Sequence, residues 1–501
     1  MADSHAFRLD EICRILNSVT NKTLGEVDIN HVFDRAMTNP KITGIAGDVI
    51  EQSVLGYPRD SDQRPDLEID GVLFELKTTG IRENKKSHEI EAKEPASITA
   101  VSINSIVGET FETSAFWHKS ANMLFVFYHY DSQETVRAAK YADFFIRGFE
   151  FYSFDGEIRA VLESDWQRVH DFIQEIQENY SSEEAKQHYP ELSSVINDYL
   201  VYLDTAPKYP NPPRFRFRRR FVTMLVQQKF GKRLEALPDL YHGYSEVYKK
   251  CHEITSMHKG KTLEELCDFY HIDIEGKTTI QIKSYAEKIV VKMFGGKSSK
   301  ISNIELFANF GLIGKTIAIT SSGGRTEDMK LTPVDFDEIE KKAFFNASQE
   351  NDDFDSESSF YSYLHDHKLL CIVFRENPHN SKELVDLRKN RFEGFKVLNL
   401  DAPSIIDSAE RTWKHIQELL KTNSLQSNFV YTKDGKQRIN PNGLPMEATN
   451  LPKSKDYLIF LRGTGGDSSD KTIIHGVKLY KHDFWIKGSY IVDQLKAIEY
   501  L

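Results

Sequence analysis

Asp66, Glu75 and Lys77 have the residue types and the spacing for metal-assisted hydrolysis of a phosphodiester. They flank Asp70-Gly71, and an Asp-Gly pair is a strong hairpin signal because a type I′ turn needs positive φ at both central positions. A turn there places Asp66 opposite Glu75, and two opposed carboxylates are destabilising unless a positive charge lies between them. Carboxylates with water and phosphate as further ligands suit Mg²⁺. Lys77 points to the same side, where it could hold or deprotonate a water.

The two strands of this hairpin separate apolar from charged positions. Because strand side chains alternate between faces, one face is wholly apolar, while the other carries the charged side chains and Leu73. The apolar face consists of Leu67, Ile69, Val72, Phe74 and Leu76. An amphipathic hairpin with a solvated charged face has the same pattern. The spacing alone therefore leaves two interpretations open, a metal site and a charged surface.

Two neighbouring elements are predicted to support the hairpin. Residues 45–54 have the spacing of a helix with Ile45, Val49, Ile50 and Val54 toward a core, which leaves Glu51 toward another edge, where a lone glutamate is usually solvent-facing. Residues 123–128 form a continuous apolar run, which predicts a central strand buried on both faces.

Composition excludes several classes of protein. At 501 residues the chain is long for one domain, and it has neither a signal peptide nor a run of 18 apolar residues. The four cysteines are scattered without a zinc-type spacing, which indicates reduced thiols and predicts a cytoplasmic protein. The net charge of −11 argues against broad nonspecific attachment to nucleic acid.

One stretch departs from this acidic balance. Residues 205–234 carry nine basic side chains and no acidic one. Such a concentration in an acidic protein favours specific docking, and arginine can pair bidentately with guanine. A basic solvated edge is the alternative. The predicted DNA-contacting residues are Arg216, Arg218, Arg219 and Arg220.

Three motifs together resemble the nuclease core of the PD-(D/E)xK superfamily: Gly47-x-x-x-Glu51, Pro65-Asp66 and Glu75-Leu76-Lys77-Thr78. They are most similar to the branch that contains the mismatch-repair endonuclease MutH and the staphylococcal-type restriction endonucleases that cut at GATC. The acid-to-acid spacing here is longer than is usual in that branch, and this leaves Asp70 as an alternative to Asp66.

The resemblance implies a set of roles and partners. Asp66, Glu75 and Glu51 would bind Mg²⁺, Lys77 would orient or activate water, and Lys119, in a His-Lys pair before the apolar run, would support the phosphate. The implied activity is double-strand cleavage of DNA at 5′-GATC by a type II restriction endonuclease. A cognate DNA methyltransferase would act on the same site, and dimerisation on DNA is allowed. The rivals are a strand-nicking repair endonuclease of the MutH type and a noncatalytic DNA-binding regulator.

Three later segments repeat earlier ones in the same order, which predicts a duplicated domain. Residues 360–374 echo 111–128, residues 398–420 echo the helix around Trp166, and residues 479–491 echo 215–225. The catalytic strand is matched either by Gln281-Ile282-Lys283-Ser284 or, more loosely, by Ile313-Gly314-Lys315-Thr316, and both lack the acid. We therefore predict an α/β protein with a mixed sheet: a catalytic domain at 1–230, a linker at 231–250 and a degenerate, noncatalytic copy at 251–501.

Overall fold

The computed structural model describes most of the chain and divides it into two compact units. The described residues are 5–40, 42–58, 64–83, 89–132, 136–231, 234–276, 279–320, 323–324, 327–345, 358–377, 386–439, 443, 445–464 and 471–501. Within them, unit 1 comprises Met1–Lys250 and Val290–Leu312, and unit 2 comprises Cys251–Ile289, Ile313–Ser348 and Ser356–Leu501. Residues 231–250, the predicted linker, are part of unit 1, where the Glu235 backbone N–H donates to Asn303 O at 2.8 Å.

In the described part of unit 1, a mixed sheet carries the predicted hairpin. Its strands are β1 (Ala6–Phe7), β2 (Leu67–Ile69), β3 (Val72–Glu83), β4 (Ile90–Ala92), β6 (Asn122–His129) and β7 (Ile146–Ser153). The order is β1-β2-β3-β6-β7, and β4 pairs with the far end of β3. The β1–β2 and β3–β6 pairs are parallel, whereas β2–β3 and β6–β7 are antiparallel. A second, antiparallel sheet has the order β5-β9-β8, with β5 at Ala96–Ala100, β8 at Leu203–Asp204 and β9 at Arg214–Phe217.

The helices of unit 1 cover the edges and faces of these sheets. They are α1 (Leu9–Val19), α2 (Leu24–Val27), α3 (Arg35–Thr38), α4 (Ile45–Val49), α5 (Ala115–Ser120), α6 (Gly156–Asn179), α7 (Ser182–His188), α8 (Arg219–Lys229), α9 (Tyr244–His258) and α12 (Glu305–Asn309). A π-helix at Ile50–Leu55 continues α4 and carries Glu51. The last residues of α9 belong to unit 2.

Burial agrees with the patterns read from the sequence. Every residue from Met123 to Phe127 is at most 1% exposed, because β6 lies between β3 and β7 and is covered on both faces. On the α4 side, Ile45, Val49 and Ile50 pack in one core with Leu76 of β3. The prediction of a central buried strand beside the hairpin is confirmed.

Unit 2 contains its own helices and sheets. Its helices are α10 (Leu263–Phe269), α11 (Thr279–Met293), α13 (Phe336–Lys341), α14 (Ser359–Asp366), α15 (Pro403–Lys421) and α16 (Gly488–Ala497), and the end of α11 belongs to unit 1. The described strands are β10 (Leu312–Ile319), β11 (Met329–Pro333), β12 (Lys368–Arg375), β13 (Arg391–Asn399), β14 (Ser427–Phe429), β15 (Glu447–Thr449), β16 (Ile459–Gly463), β17 (Lys471–Ile474), β18 (Val477–Tyr480) and β19 (His482–Ile486). They form sheets in the orders β10-β12-β13, β11-β19-β16, β14-β15 and β17-β18.

The two units repeat one order of elements. In unit 1 the elements β3, β5, α5, β6, β7, α6, β8, β9 and α8 occur in this order, with β4 and α7 between some of them. In unit 2 the elements β10, β11, α14, β12, β13, α15, β16, β19 and α16 occur in the corresponding order, with α13, β14, β15, β17 and β18 between some of them. The sheets agree as well, since β3-β6-β7 corresponds to β10-β12-β13 and β5-β9-β8 to β11-β19-β16. Trp166 of α6 and Trp413 of α15 are each 1% exposed. These parallels support the predicted duplication.

One predicted correspondence is wrong. Residues 281–284 lie within helix α11, so they cannot match the catalytic strand β3. Residues 313–316 lie in β10, whose place in the order β10-β12-β13 is that of β3 in β3-β6-β7, so the looser match stays the prediction. Over four residues a match to Glu-Leu-Lys-Thr looks alike in a strand and in a helix, which explains the error.

Within the described residues, no helix is long and apolar enough to cross a bilayer.

Candidate active site

The turn at Asp70 and Gly71 fixes the geometry of the hairpin as predicted. Their φ values are +49° and +82°, as a type I′ turn requires. Leu67 pairs with Phe74 in the ladder, so Asp66 precedes the first paired residue and Glu75 follows its partner. The Asp70 side chain makes a different contact: its Oδ2 accepts a hydrogen bond from the Leu9 backbone N–H at 3.3 Å.

Glu75 is the charged centre of the site. It is 2% exposed, and a carboxylate buried to that extent needs charged or hydrogen-bonded partners. Lys77 Nζ donates to Glu75 Oε1 at 2.7 Å, and Lys119 Nζ lies 3.3 Å from Oε1 and 3.2 Å from Oε2. The two ammonium groups reach the carboxylate from strand β3 and from helix α5.

Helix α5 brings Lys119 to the site because its start is firmly capped. The Ser114 side chain accepts from the Trp117 backbone N–H at 3.0 Å, and its own hydroxyl donates to Phe111 O at 2.7 Å. Phe116 on this helix is 1% exposed and anchors it in the core. Lys119 in the last turn then extends to β3, which also suits the negative end of the helix dipole.

The Asp66 carboxylate shares the site with Glu75. Burial raises the pKa of Asp66, and the negative charge of Glu75 raises it further, while Lys77, the Leu76 amide and Lys119 oppose the rise. The Leu76 backbone N–H donates to Asp66 Oδ2 at 2.8 Å. The structure therefore brings Asp66, Glu75, Lys77 and Lys119 into one cluster.

Glu51 lies on the π-helix that continues α4, on a different element from the hairpin. A Cβ atom on Gly47 would lie 3.4 Å from Thr78 Oγ1 of β3 and 3.9 Å from Glu51 Oε1, so both side chains border Gly47. Within the described residues, no group of three His, Cys, Asp or Glu side chains could hold a metal ion. Metal ligation by Glu51 stays a prediction.

Arg216 and Arg218 are buried, and their guanidinium groups bind to acceptors inside the protein. They are 5% and 3% exposed. Arg216 Nε lies 2.5 Å from Asp204 Oδ1 in the neighbouring strand, and Arg218 donates to Leu203 O and Asn197 O, both at 2.6 Å. Buried guanidinium groups held this way brace β8 against β9. With both side chains buried, contact of Arg216 and Arg218 with DNA would require these internal contacts to break, and it stays a prediction.

Arg219 and Arg220 are half-buried, and both also bind within unit 1. Arg219 donates to Ala92 O at 2.8 Å and forms an ion pair of 2.6 Å with Glu91. Arg220 donates to Val201 O at 2.7 Å. The sequence pattern detected their charge, but the acceptors come from distant segments that no local pattern identifies. Their contact with DNA stays a prediction.

The residues present fit a Mg²⁺ ion. The Asp66 and Glu75 carboxylates lie close enough that one raises the pKa of the other, which marks a place where a cation would be favourable. Oxygen donors from one or two carboxylates, with water and phosphate completing the shell, are the set that Mg²⁺ prefers. The lysines that now contact Glu75 would supply the charge balance around a phosphate.

The sequence analysis did not anticipate one contact to Asp66. His5 Nδ1 lies 2.7 Å from the Asp66 backbone carbonyl oxygen, although the two residues are 61 positions apart. The pairing of β1 with β2 produces this contact, and a two-residue strand leaves no usable periodicity in the sequence.

The mixed sheet thus presents two carboxylates and a lysine from one hairpin, an arrangement suited to metal-assisted phosphodiester hydrolysis. In comparison with known proteins, the family model for the DNA mismatch repair enzyme MutH matches residues 55–165, the segment that holds this cluster. The chain is also similar to the type II restriction enzyme Sau3AI of Staphylococcus aureus, with 22% identity over 90% of this chain and 92% of that protein. These matches confirm two predictions: the resemblance to MutH-like type II restriction endonucleases and the assignment to the site-specific deoxyribonucleases.

Proposed function

We propose that the protein is a type II restriction endonuclease that makes Mg²⁺-dependent double-strand cuts in DNA. The observation that carries the proposal is the buried cluster of Asp66, Glu75, Lys77 and Lys119 inside the segment that matches the MutH model. The similarity to Sau3AI along nearly the whole chain supports the restriction activity over a general nuclease.

Each member of the cluster has a role in this reaction. Asp66 and Glu75 would hold the metal, whose chemistry when bound would be to polarise the phosphate and lower the pKa of an attacking water. Lys77 would orient or activate that water, and Lys119 would stabilise the negative charge that develops on the phosphate. Glu51 would assist from the π-helix that continues α4.

The recognition sequence and the partners extend the same proposal. The resemblance implies cutting at 5′-GATC, with a cognate methyltransferase that modifies the same site in the cytoplasm. Unit 2 would then be a noncatalytic copy that binds DNA or regulates unit 1, since residues 313–316 of β10 contain no acid. Dimerisation on DNA is compatible with this arrangement.

Supercoiled plasmid DNA, unmethylated or adenine-methylated, tests the proposal directly. With Mg²⁺ the wild-type chain should produce linear fragments whose sequenced ends lie at one repeated site, and EDTA should stop the reaction. Glu75→Ala and Lys77→Ala should each abolish cutting, while DNA binding in a gel-shift assay stays near the wild-type level. Glu83→Ala, an exposed carboxylate at the end of the same strand, is the matched control and should cut normally.

Two outcomes would favour a rival function, and a third would contradict the assigned residues. Open circles that accumulate without linear product would indicate a strand-nicking enzyme of the MutH type. Full cutting activity in Glu75→Ala or Lys77→Ala would contradict the assigned site. Binding to DNA with no Mg²⁺-dependent cutting by the wild-type chain would indicate a DNA-binding regulator.

A further inference from the structure

The N-terminal strand places a histidine against the backbone of the metal-binding hairpin. The Glu68 backbone N–H donates to His5 O at 2.9 Å, and the Asp70 N–H donates to Phe7 O at 3.0 Å. This short parallel ladder aligns the His5 ring with the residue just before β2. As a result, His5 Nδ1 lies 2.7 Å from Asp66 O.

The chemistry of the partner settles the direction of this hydrogen bond. A carbonyl oxygen only accepts, so Nδ1 of His5 must carry the proton and donate it. The bond therefore exists in both the neutral Nδ1–H tautomer and the protonated ring. A side chain without a donor at this position would leave the Asp66 carbonyl without this partner.

The other contact of His5 leads to the segment that carries Glu51. The His5 ring packs on the ring of Tyr57, with centroids 4.4 Å apart and planes 33° apart. Tyr57 is 3% exposed, and its backbone N–H donates to Glu51 O at 3.2 Å, directly after the π-helix. The His5 imidazole thus contacts both the backbone of Asp66, just before β2, and the ring of Tyr57, just beyond the π-helix that carries Glu51.

Asp66 is consequently held at two points. His5 fixes its main-chain carbonyl, and the Leu76 amide fixes Oδ2 of its side chain. Fixing both ends restricts the rotation that aims the remaining carboxylate oxygen. Groups that orient a metal ligand in this way typically change metal affinity by about 10–100-fold when they are removed.

We propose that His5 is a positioning residue for the metal ligand Asp66, acting through the Nδ1–H hydrogen bond to the Asp66 carbonyl. This inference rests on the proposed function, because it assumes that Asp66 binds the catalytic metal. It assigns the N-terminal strand a part in metal affinity, which neither the family motifs nor the spacing of the acids includes.

The test measures Mn²⁺ binding to the full chain without DNA, by the loss of the free-ion electron paramagnetic resonance signal. His5→Phe keeps a ring that can pack on Tyr57 but removes the donor, and we expect it to weaken Mn²⁺ binding by about 10-fold. His5→Asn restores an N–H donor and should recover most of that loss. Thermal melting of both variants by circular dichroism checks that they fold.

A second histidine provides the matched control. His188 packs on Tyr180 with ring centroids 4.1 Å apart, and its Nδ1 lies 3.1 Å from Glu191, away from the hairpin. His188→Phe therefore makes the same chemical change on a similar stack, and Mn²⁺ affinity should stay at the wild-type value.

Each outcome decides the inference. Wild-type Mn²⁺ affinity in His5→Phe would overturn it, and so would a loss in His5→Phe that His5→Asn shares in full. If His5→Phe does not fold, the comparison of His5→Asn with wild type decides alone, because a working donor must give near-normal affinity. A wild-type chain that cuts DNA while His5→Phe binds Mn²⁺ normally refutes only this inference, whereas a wild-type chain that neither binds Mn²⁺ nor cuts refutes the proposed function as well.

Discussion

Replacing Asp165 by asparagine tests which force dominates in the interior of unit 1. Asp165 lies on α6, is 1% exposed and accepts hydrogen bonds from the backbone amides of Val201, Tyr202 and Leu203 at 2.7–3.0 Å. Burial raises the pKa of this carboxyl from 3.8 to about 6, against the opposing effect of the three amides and Arg218. Asp165→Asn keeps the shape of the side chain and removes its titration.

The sign of the expected pH effect follows from the raised pKa. Between pH 3.8 and about 6 the folded protein binds the proton more tightly than the unfolded chain, so this stabilisation is present below 3.8 and is lost as the pH rises through about 6. A shift of roughly two pKa units corresponds to about 3 kcal/mol. For a unit of this size, that change equals about 6–12 °C in melting temperature.

Scanning calorimetry near pH 4 and near pH 7.5 measures the difference. We expect the margin, which is the melting temperature of the wild type minus that of Asp165→Asn, to decrease by about 6–12 °C from the lower to the higher pH. Glu175→Gln, at an exposed acid on the same helix, should show a margin that does not depend on the Asp165 titration. A margin that grows with pH would refute the reasoning, because it would mean that the three amides hold the anion more strongly than burial disfavours it.

Three further substitutions follow from the proposed site and the packing. Glu51→Gln should reduce cutting by about 10-fold and Glu75→Gln by more than about 100-fold, because Glu51 is the accessory carboxylate of the proposed site whereas Glu75 contacts both lysines. Equal losses in a plasmid assay would place Glu51 among the direct ligands. Gly394→Ala should lower the free energy of unfolding of unit 2 by about 1–3 kcal/mol, and with it the melting temperature. The new Cβ would lie 2.6 Å from Thr255 Cγ2, and the backbone φ at this position is +133°. Gly476→Ala, at φ +78° with open space, is the control for backbone strain, and an equal loss there would exclude the packing explanation.

Local signals in the sequence determined the parts of this structure that were predicted correctly. The turn at Asp70-Gly71 and the register that follows from it depend on two residues and the pleat of a strand. The buried strand β6 depends on an uninterrupted apolar run. Both are readable because their causes lie within about ten residues of their effects.

Features that depend on distant segments were not readable in the same way. The arginines before α8 have the pattern of a DNA-binding surface, but Asp204 and the carbonyl of Asn197 occupy the two that are buried. The contact of His5 with Asp66 joins residues 61 positions apart. Residues 281–284 have a strand-like sequence in a helix, since four residues do not separate a period of 2 from one of 3.6.

The four charges of the candidate site have a consequence for the order in which its ligands bind. Two carboxylates and two ammonium groups leave the cluster formally neutral, so a divalent cation that enters it alone creates a surplus of positive charge. The phosphates of DNA neutralise that surplus. Binding free energies are reciprocal, so DNA that strengthens the hold on the metal is itself held more strongly once the metal is present. Without DNA, the two lysines that contact Glu75 would compete with a metal for it, and under the proposed function the chain would then be biased against carrying a fully loaded site between encounters with DNA.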